Sequence, residues 1–259
     1  MGHIRLGRLP SSQKWAQVVA LIADGAPVNE IAGLSAAAAD TALKEASQDP
    51  ALGEALWILV NLPLAARAPG FEKTLRDMDI HIDGQLSLFS VTAAIAERLD
   101  AHALAAGGRN DLGEMAGQAL IESLTASIEH DLPTLFTPEP SEVRTALGQL
   151  ASGERFAAFA RRFFGRLTYR TLDYYLSREL ANHVGEGQRF QTDEARRRFD
   201  EALSRHCSEA SRIIEAYAGG WYGKTVWQKD GLTRKATQRF AAYGLKKIRD
   251  ELGRRQQAA

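Results

Sequence analysis

SGERFAAFARRFFGRLTYRTLDYYLSRELANH, Ser152 to His183, is the stretch that decides the fold class. Its apolar stripe opens with Phe156, Phe159 and Phe163, recurs at helical spacing, and meets no proline before Gly185 closes the pattern. A 3.6-residue repeat sustained over this length predicts one nearly continuous amphipathic helix, and without proline every backbone N–H can bond four residues back. Downstream, Thr192 or Asp193 is the expected cap of a helix carrying Phe199, Leu203, His206, Ala210, Ile213 and Tyr217. Spacings alternating between four and three are those of a helix packed nearly antiparallel on a partner. A last helix follows Thr233, with Phe240, Tyr243 and Ile248 on one side.

Upstream, the same periodicity is cut into shorter pieces. Ser11 and Ser12 can cap a helix through Trp15, Val18, Val19 and Ile22 that Gly25 stops. Asp49-Pro50 is an N-cap followed by proline at the first helical position, opening a helix through Trp57, Leu59 and Val60 that Pro63 should kink or end. Leu88, Val91, Ile95 and Leu99 mark another, and Asp111 with Glu114 predicts a capping box ahead of Met115, Leu120, Leu124 and Ile128. Met78 to Asp83, MDIHID, alternates with period two. The expected fold is all-α, a multi-helix bundle with short helices first and long ones after.

Composition agrees. The chain has 259 residues, 45% apolar and 25% charged, with 32 basic and 32 acidic side chains, a profile that excludes a disordered chain and a disulfide-built mini-protein. Cys207 is the single cysteine, so neither an internal disulfide nor a multi-thiolate zinc site can form. A reducing cytoplasm is the expected compartment. MGHIRLGRLP lacks the apolar stretch of a signal peptide and no 18-residue uncharged run follows, so neither secretion nor a membrane span is expected.

The balanced total divides along the chain. Residues 1–140 hold 9 Lys/Arg against 18 Asp/Glu, a net of −9, and residues 141–259 hold 23 against 14, a net of +9. All eight prolines lie at or before Pro140, and 15 of the 20 Phe, Trp and Tyr residues lie after it. These shifts divide the chain into an acidic helical region (1–132), a proline-rich joint (133–141) and a basic, aromatic-rich bundle (142–259).

Several strings carry chemical meaning. Ala218-Gly-Gly-Trp-Tyr-Gly223-Lys224-Thr225 satisfies the loose phosphate-loop pattern, but a helical segment, RIIEAYA, precedes it where that loop needs a strand. A glycine-terminated helix followed by an aromatic loop is the expected structure. Asp79, His81 and Asp83 would share one face of an extended chain and could approach a divalent metal, yet three ligands from one strand do not complete a shell. Asp83-Gly84 is also an ordinary turn, and neither a metal nor a cofactor is expected. Residues 18–47 loosely follow a helix-turn-helix with a third helix capped by Ser35, but the third helix offers one lysine and two acids where a DNA reader needs Arg, Asn or Gln. His206 falls on the apolar seam, and its neighbour Cys207 carries no activating motif.

Arg178-Glu-Leu-Ala-Asn-His183 places arginine and histidine five residues apart at the end of the long helix. It resembles the signature of HEPN-domain ribonucleases, helical bundles that use such a pair at a dimer interface, commonly in toxins and antiviral systems. The resemblance implies metal-independent RNA cleavage, with His183 exchanging a proton with the ribose 2′-hydroxyl or leaving oxygen and Arg178 holding the phosphate. The same two residues also suit a surface arginine and a helix-terminal histidine favoured by the C-terminal dipole.

From Gly219 to Arg255, Trp221, Tyr222, Lys224, Trp227 and Lys229 interleave rings with cations, and the last helix adds Arg234, Lys235, Arg239, Lys246 and Lys247. Single-stranded nucleic acid is bound by that combination; alternatively the rings complete the core and the cations solubilise it. The expected function is a non-enzymatic helical subunit or adaptor of a larger cytoplasmic assembly, whose basic half contacts RNA, single-stranded DNA, an acidic protein surface or a second copy of the chain. A ribonuclease using Arg178 and His183 is the alternative.

Overall fold

The computed structural model describes residues 13–39, 49–133, 137–227 and 231–257, and apart from isolated bridges, such as that between Val184 and Phe190, every regular element among them is helical. The first are α1 (Gln13–Ala23) and α2 (Val28–Ala38), and Gly25 turns the chain between them at φ +76°. In α3 (Pro50–Arg67) the Asp49 carboxylate accepts from the N–H groups of Ala51 at 2.8 Å and Leu52 at 3.0 Å. Next come α4 (Phe71–Asp77) and α5 (Leu88–Ala105), the latter capped by Ser87. The following helix, α6 (Asp111–Ile128), is capped one residue earlier than the sequence predicts, by Asn110, which accepts from Gly113 N–H at 2.6 Å. Asn110 also donates to Asp49 at 2.9 Å, which ties the starts of α3 and α6 together.

A 3-10 turn (Glu129–Asp131) leads to the joint, whose last proline is the first residue of α7 (Pro140–Gln149). The decisive stretch forms α8 (Gly153–Leu180), capped by Ser152 and prolonged by a 3-10 turn (Ala181–His183). Thr192 caps α9 (Asp193–Ala210), and α10 (Arg212–Val226) and α11 (Arg234–Gln257) follow.

Two helices organise the packing. Buried on almost every side, α3 lies against α5, α6, α7 and α11. Along α8, one flank takes α6 and the other takes α9 and α10 in succession. A Cβ at Gly165 would sit 2.9 Å from Ser211 Oγ, and one at Gly219 would sit 2.6 Å from the Gly153 carbonyl oxygen. Rising numbers on α8 therefore meet falling numbers on α9 and α10, so the pair runs antiparallel to α8 with its break at Ser211. The core aromatics join these layers. Phe156 stacks on Tyr222 at 3.8 Å and Trp221 on Phe240 at 4.1 Å between ring centroids, while the Tyr222 hydroxyl donates to the Val60 carbonyl in α3 at 3.0 Å. Burying each such ring stabilises the fold by about 1.5–3 kcal/mol. One connected set of buried apolar side chains takes members from both sides of the joint.

Five local expectations are corrected. Pro63 does not end its helix: α3 continues to Arg67, because Pro63 is itself buried in a helix covered on all sides, and that burial offsets the lost hydrogen bond. Met78 to Asp83 is not an extended strand; Asp79 has φ +56°, Ile80 is buried, and the alternation marks a loop that drops apolar side chains into the core. Ser35 does not cap a third helix but lies buried inside α2. The seam read as continuous from Phe199 to Tyr217 is broken at Ser211, and it buries Cys207 in place of His206. The glycine string from Ala218 to Thr225 is helix throughout, neither a phosphate loop nor an aromatic loop. Among the described residues no helix is long and apolar enough to cross a membrane.

Candidate functional site

Folding splits the basic and aromatic stretch in two. Trp221 and Tyr222 belong to the core stacks, and burial pushes the Tyr222 hydroxyl above the usual tyrosine range. Arg234 stays exposed but is engaged by the fold, with Nη1 2.5 Å from Glu54 and the guanidinium 4.9 Å from the centre of the Trp57 ring. Lys247 lies 5.3 Å from the Tyr243 ring centre. The remainder faces solvent: Trp227 is 90% exposed, Lys224 is exposed, and Lys235, Arg239 and Lys246 occupy one exposed face of α11. None of these last three meets a carboxylate among the described residues. Lys229 lies outside the described residues, as do Ser11 and Ser12.

The sequence charge division is partly closed by folding. Arg155 grips Asp131 with two nitrogens, at 2.6 and 2.9 Å, and holds that carboxyl below the usual carboxylate range. Glu122 is shared by Arg166 at 3.5 Å and by Arg170. Other arginines of the second half answer backbone carbonyls at the C-terminal ends of first-half helices, where the helix dipole favours cations. Arg144 donates to Ala66 O at 2.9 Å and Ala68 O at 2.6 Å, at the end of α3; Arg189 donates to Ile22 O at 2.9 Å and Ala26 O at 2.6 Å, at the end of α1. Arginines thus stitch the two halves together, and three of the cations left unpaired, Lys224, Lys235 and Lys246, are lysines. The fork of guanidinium donors suits carbonyl and carboxylate capture, whereas the ammonium keeps its water.

Glu54 had no signal in sequence reasoning beyond being the lone acid in the run ALGEALWILV. Its side chain is fully buried, 2.9 Å from Arg98 and 2.5 Å from Arg234, with His102 at 3.8 Å. This node couples α3, α5 and α11.

A second concentration of cations was not anticipated. The outer face of α8 forms the floor of a trough between α6 and the α9–α10 pair, and a cavity of about 420 Å³ opens where α9 breaks into α10. Arg161, Arg162 and Arg166 line its floor and Ser204 and Ser208 its α9 wall. Arg161 is held by Glu215 at 3.1 Å, whereas Arg162 and Arg166 reach the Ser127 and Ser123 hydroxyls at 3.3 Å each. Burial pulls Arg166 below the usual arginine range; Glu122 opposes the shift, and its neighbours Arg162 and Arg170 add to it. Guanidinium groups crowded beside one another in a concavity attract an anion.

Arg178 and His183 are not brought together by any contact of the described residues. The Arg178 guanidinium turns back one helical turn, 4.7 Å from the Tyr174 ring centre and 3.1 Å from its hydroxyl. His183 lies in the 3-10 turn, where its carbonyl accepts from Phe190 N–H at 3.0 Å. Burial pushes the Cys207 thiol up to about 12, so it stays protonated. Among the described residues no group of three or more His, Cys, Asp or Glu side chains could hold a metal ion. Comparison of the chain with protein-family models, with curated proteins and with solved structures finds no match in any of the three.

Proposed function

We propose that the chain is a non-enzymatic helical subunit or adaptor of a larger assembly, and that its second half binds single-stranded nucleic acid through the exposed face of α11. The supporting observation is the row Lys235, Arg239 and Lys246, exposed and without carboxylate partners among the described residues, while the arginines around it are consumed by the fold. Over the 11 residue steps from Lys235 to Lys246 the row covers roughly 16 Å of helix, long enough to meet successive phosphates. Exposed Trp227 offers a ring for base stacking.

Anisotropy of a labelled single-stranded oligonucleotide tests this. Binding is expected at ~50 mM salt, with log affinity falling linearly as log salt rises. Joint replacement Lys235→Gln, Arg239→Gln and Lys246→Gln should lower that slope by about 2, since each phosphate neutralised on a single strand contributes about 0.7. A wild-type chain that ignores oligonucleotides at ~50 mM salt overturns the reading. Equal binding of polyglutamate would assign the face to an acidic protein surface.

A further inference from the structure

Resting on that reading of the second half as anion-binding, we propose that the notch between α8 and the α9–α10 break is a separate site for a phosphomonoester. Arg162 and Arg166 neutralise its two negative charges, and Arg161, Ser204 and Ser208 supply further donors. Gly165 lines the notch and lets α8 approach the break closely, since a Cβ there would sit 2.9 Å from Ser211 Oγ, and the Ser211 hydroxyl donates to the Ser208 carbonyl at 2.6 Å. At about 420 Å³ the cavity is the size that small ligands occupy. Arginines of α8 and serines of α9 line it on two sides, so a tetrahedral oxyanion there can draw donors from both once Arg162 and Arg166 let go of the α6 hydroxyls.

Charge selects the ligand class. Among the described residues Glu215 is the one carboxylate lining the notch, and it is already paired with Arg161, which Glu209 also approaches at 3.8 Å. Arg162 meets no carboxylate among the described residues, and Glu122, the acid nearest Arg166, is shared with Arg170. The hydroxyl contacts that hold Arg162 and Arg166, 3.3 Å each, are long for hydrogen bonds and are readily exchanged for a phosphate oxygen. A dianionic monoester matches these two guanidiniums, and a phosphodiester brings half that charge. Among the described residues no aromatic ring lines the notch, so it grips phosphate without reading a base. Such a phosphate can belong to a free nucleotide or to the 5′ end of a strand.

The full-length protein is titrated with a 5′-phosphorylated single-stranded decamer, with the same decamer bearing a 5′-hydroxyl, and with AMP. The terminal phosphate is expected to strengthen decamer binding about tenfold, near 1.4 kcal/mol, and the double variant Arg162→Gln, Ser208→Ala to abolish that increment. Both side chains are exposed, so the fold is kept, and circular dichroism checks this. AMP binding lost in the same variant supports the notch with a free nucleotide as its ligand; a phosphate preference without AMP binding supports it with a strand end. Equal affinity for the two decamers together with no response to AMP overturns the notch, as does an increment that survives the double variant. Phosphate-independent decamer binding would leave the α11 face standing, whereas AMP binding without any decamer binding would keep the notch and remove the α11 reading.

Discussion

Asp173 shows how a single side chain reports its surroundings. It sits on α8 facing α9, where burial first and the Asp200 charge second raise its carboxyl above the usual carboxylate range, against the pull of Arg196 and Arg170. The folded state therefore favours the protonated acid, and the ionised form destabilises the fold at neutral pH. That penalty fades as pH falls through the raised folded value and is gone below the ordinary 3.8 of the unfolded chain. Asp173→Asn is expected to raise Tm at pH 7, with the gain vanishing below about pH 3.8; a variant less stable at neutral pH would contradict the sign. His206 and Cys207 teach the complementary lesson about legibility. Reading the apolar seam across Ser211 as unbroken helix puts His206 on the buried face, but the break resets the phase, and the core receives Cys207. A break with no proline and no glycine at the junction leaves no local signal.

Within the elements, glycine carries the clearest test. Gly219 and Gly220 are neighbours in α10, yet a Cβ at Gly219 would meet the Gly153 carbonyl oxygen at 2.6 Å and one at Gly220 would meet nothing within 4 Å. Gly219→Ala should cost about 1–3 kcal/mol in urea unfolding by forcing α10 off α8, while Gly220→Ala should stabilise by up to about 1 kcal/mol through helix propensity. Equal effects at the two positions would show that the close approach does not hold the glycine in place. The long helix α8, the start of α9 and the caps at Asp49 and Thr192 were legible because caps and 3.6-residue periodicity are local properties. Why glycines stand inside α10, or a proline inside α3, was not legible, because the reason lies on a neighbouring helix. The same holds for the candidate site. Lysines on α11 could be chosen from their spacing, whereas the arginine notch is assembled from α8 and α9 residues that are some 40 positions apart in the chain.

At the scale of the molecule, the opposed charges of the two halves serve first to hold them together. Glu54 is the deepest of these contacts, and Glu54→Ala should cost about 1–3 kcal/mol, because largely buried Arg98 is left with only Asp79, at 3.7 Å, while exposed Arg234 turns to water. Urea unfolding would measure it, and a loss below about 1 kcal/mol would mean that water replaces the carboxylate. The division at the joint was visible in composition; that acidic and basic helices interleave was not, since pairing depends on which faces meet. The packing of α11 on α2, where a Cβ at Gly33 would come within 2.6 Å of the Gln256 Cβ, has a consequence for synthesis. Because α11 is made long after the helices it covers, the apolar faces of α2 and α3 stay open to chaperones and proteases until α11 has emerged from the ribosome. Losing α11 would leave α2 and α3 without that cover.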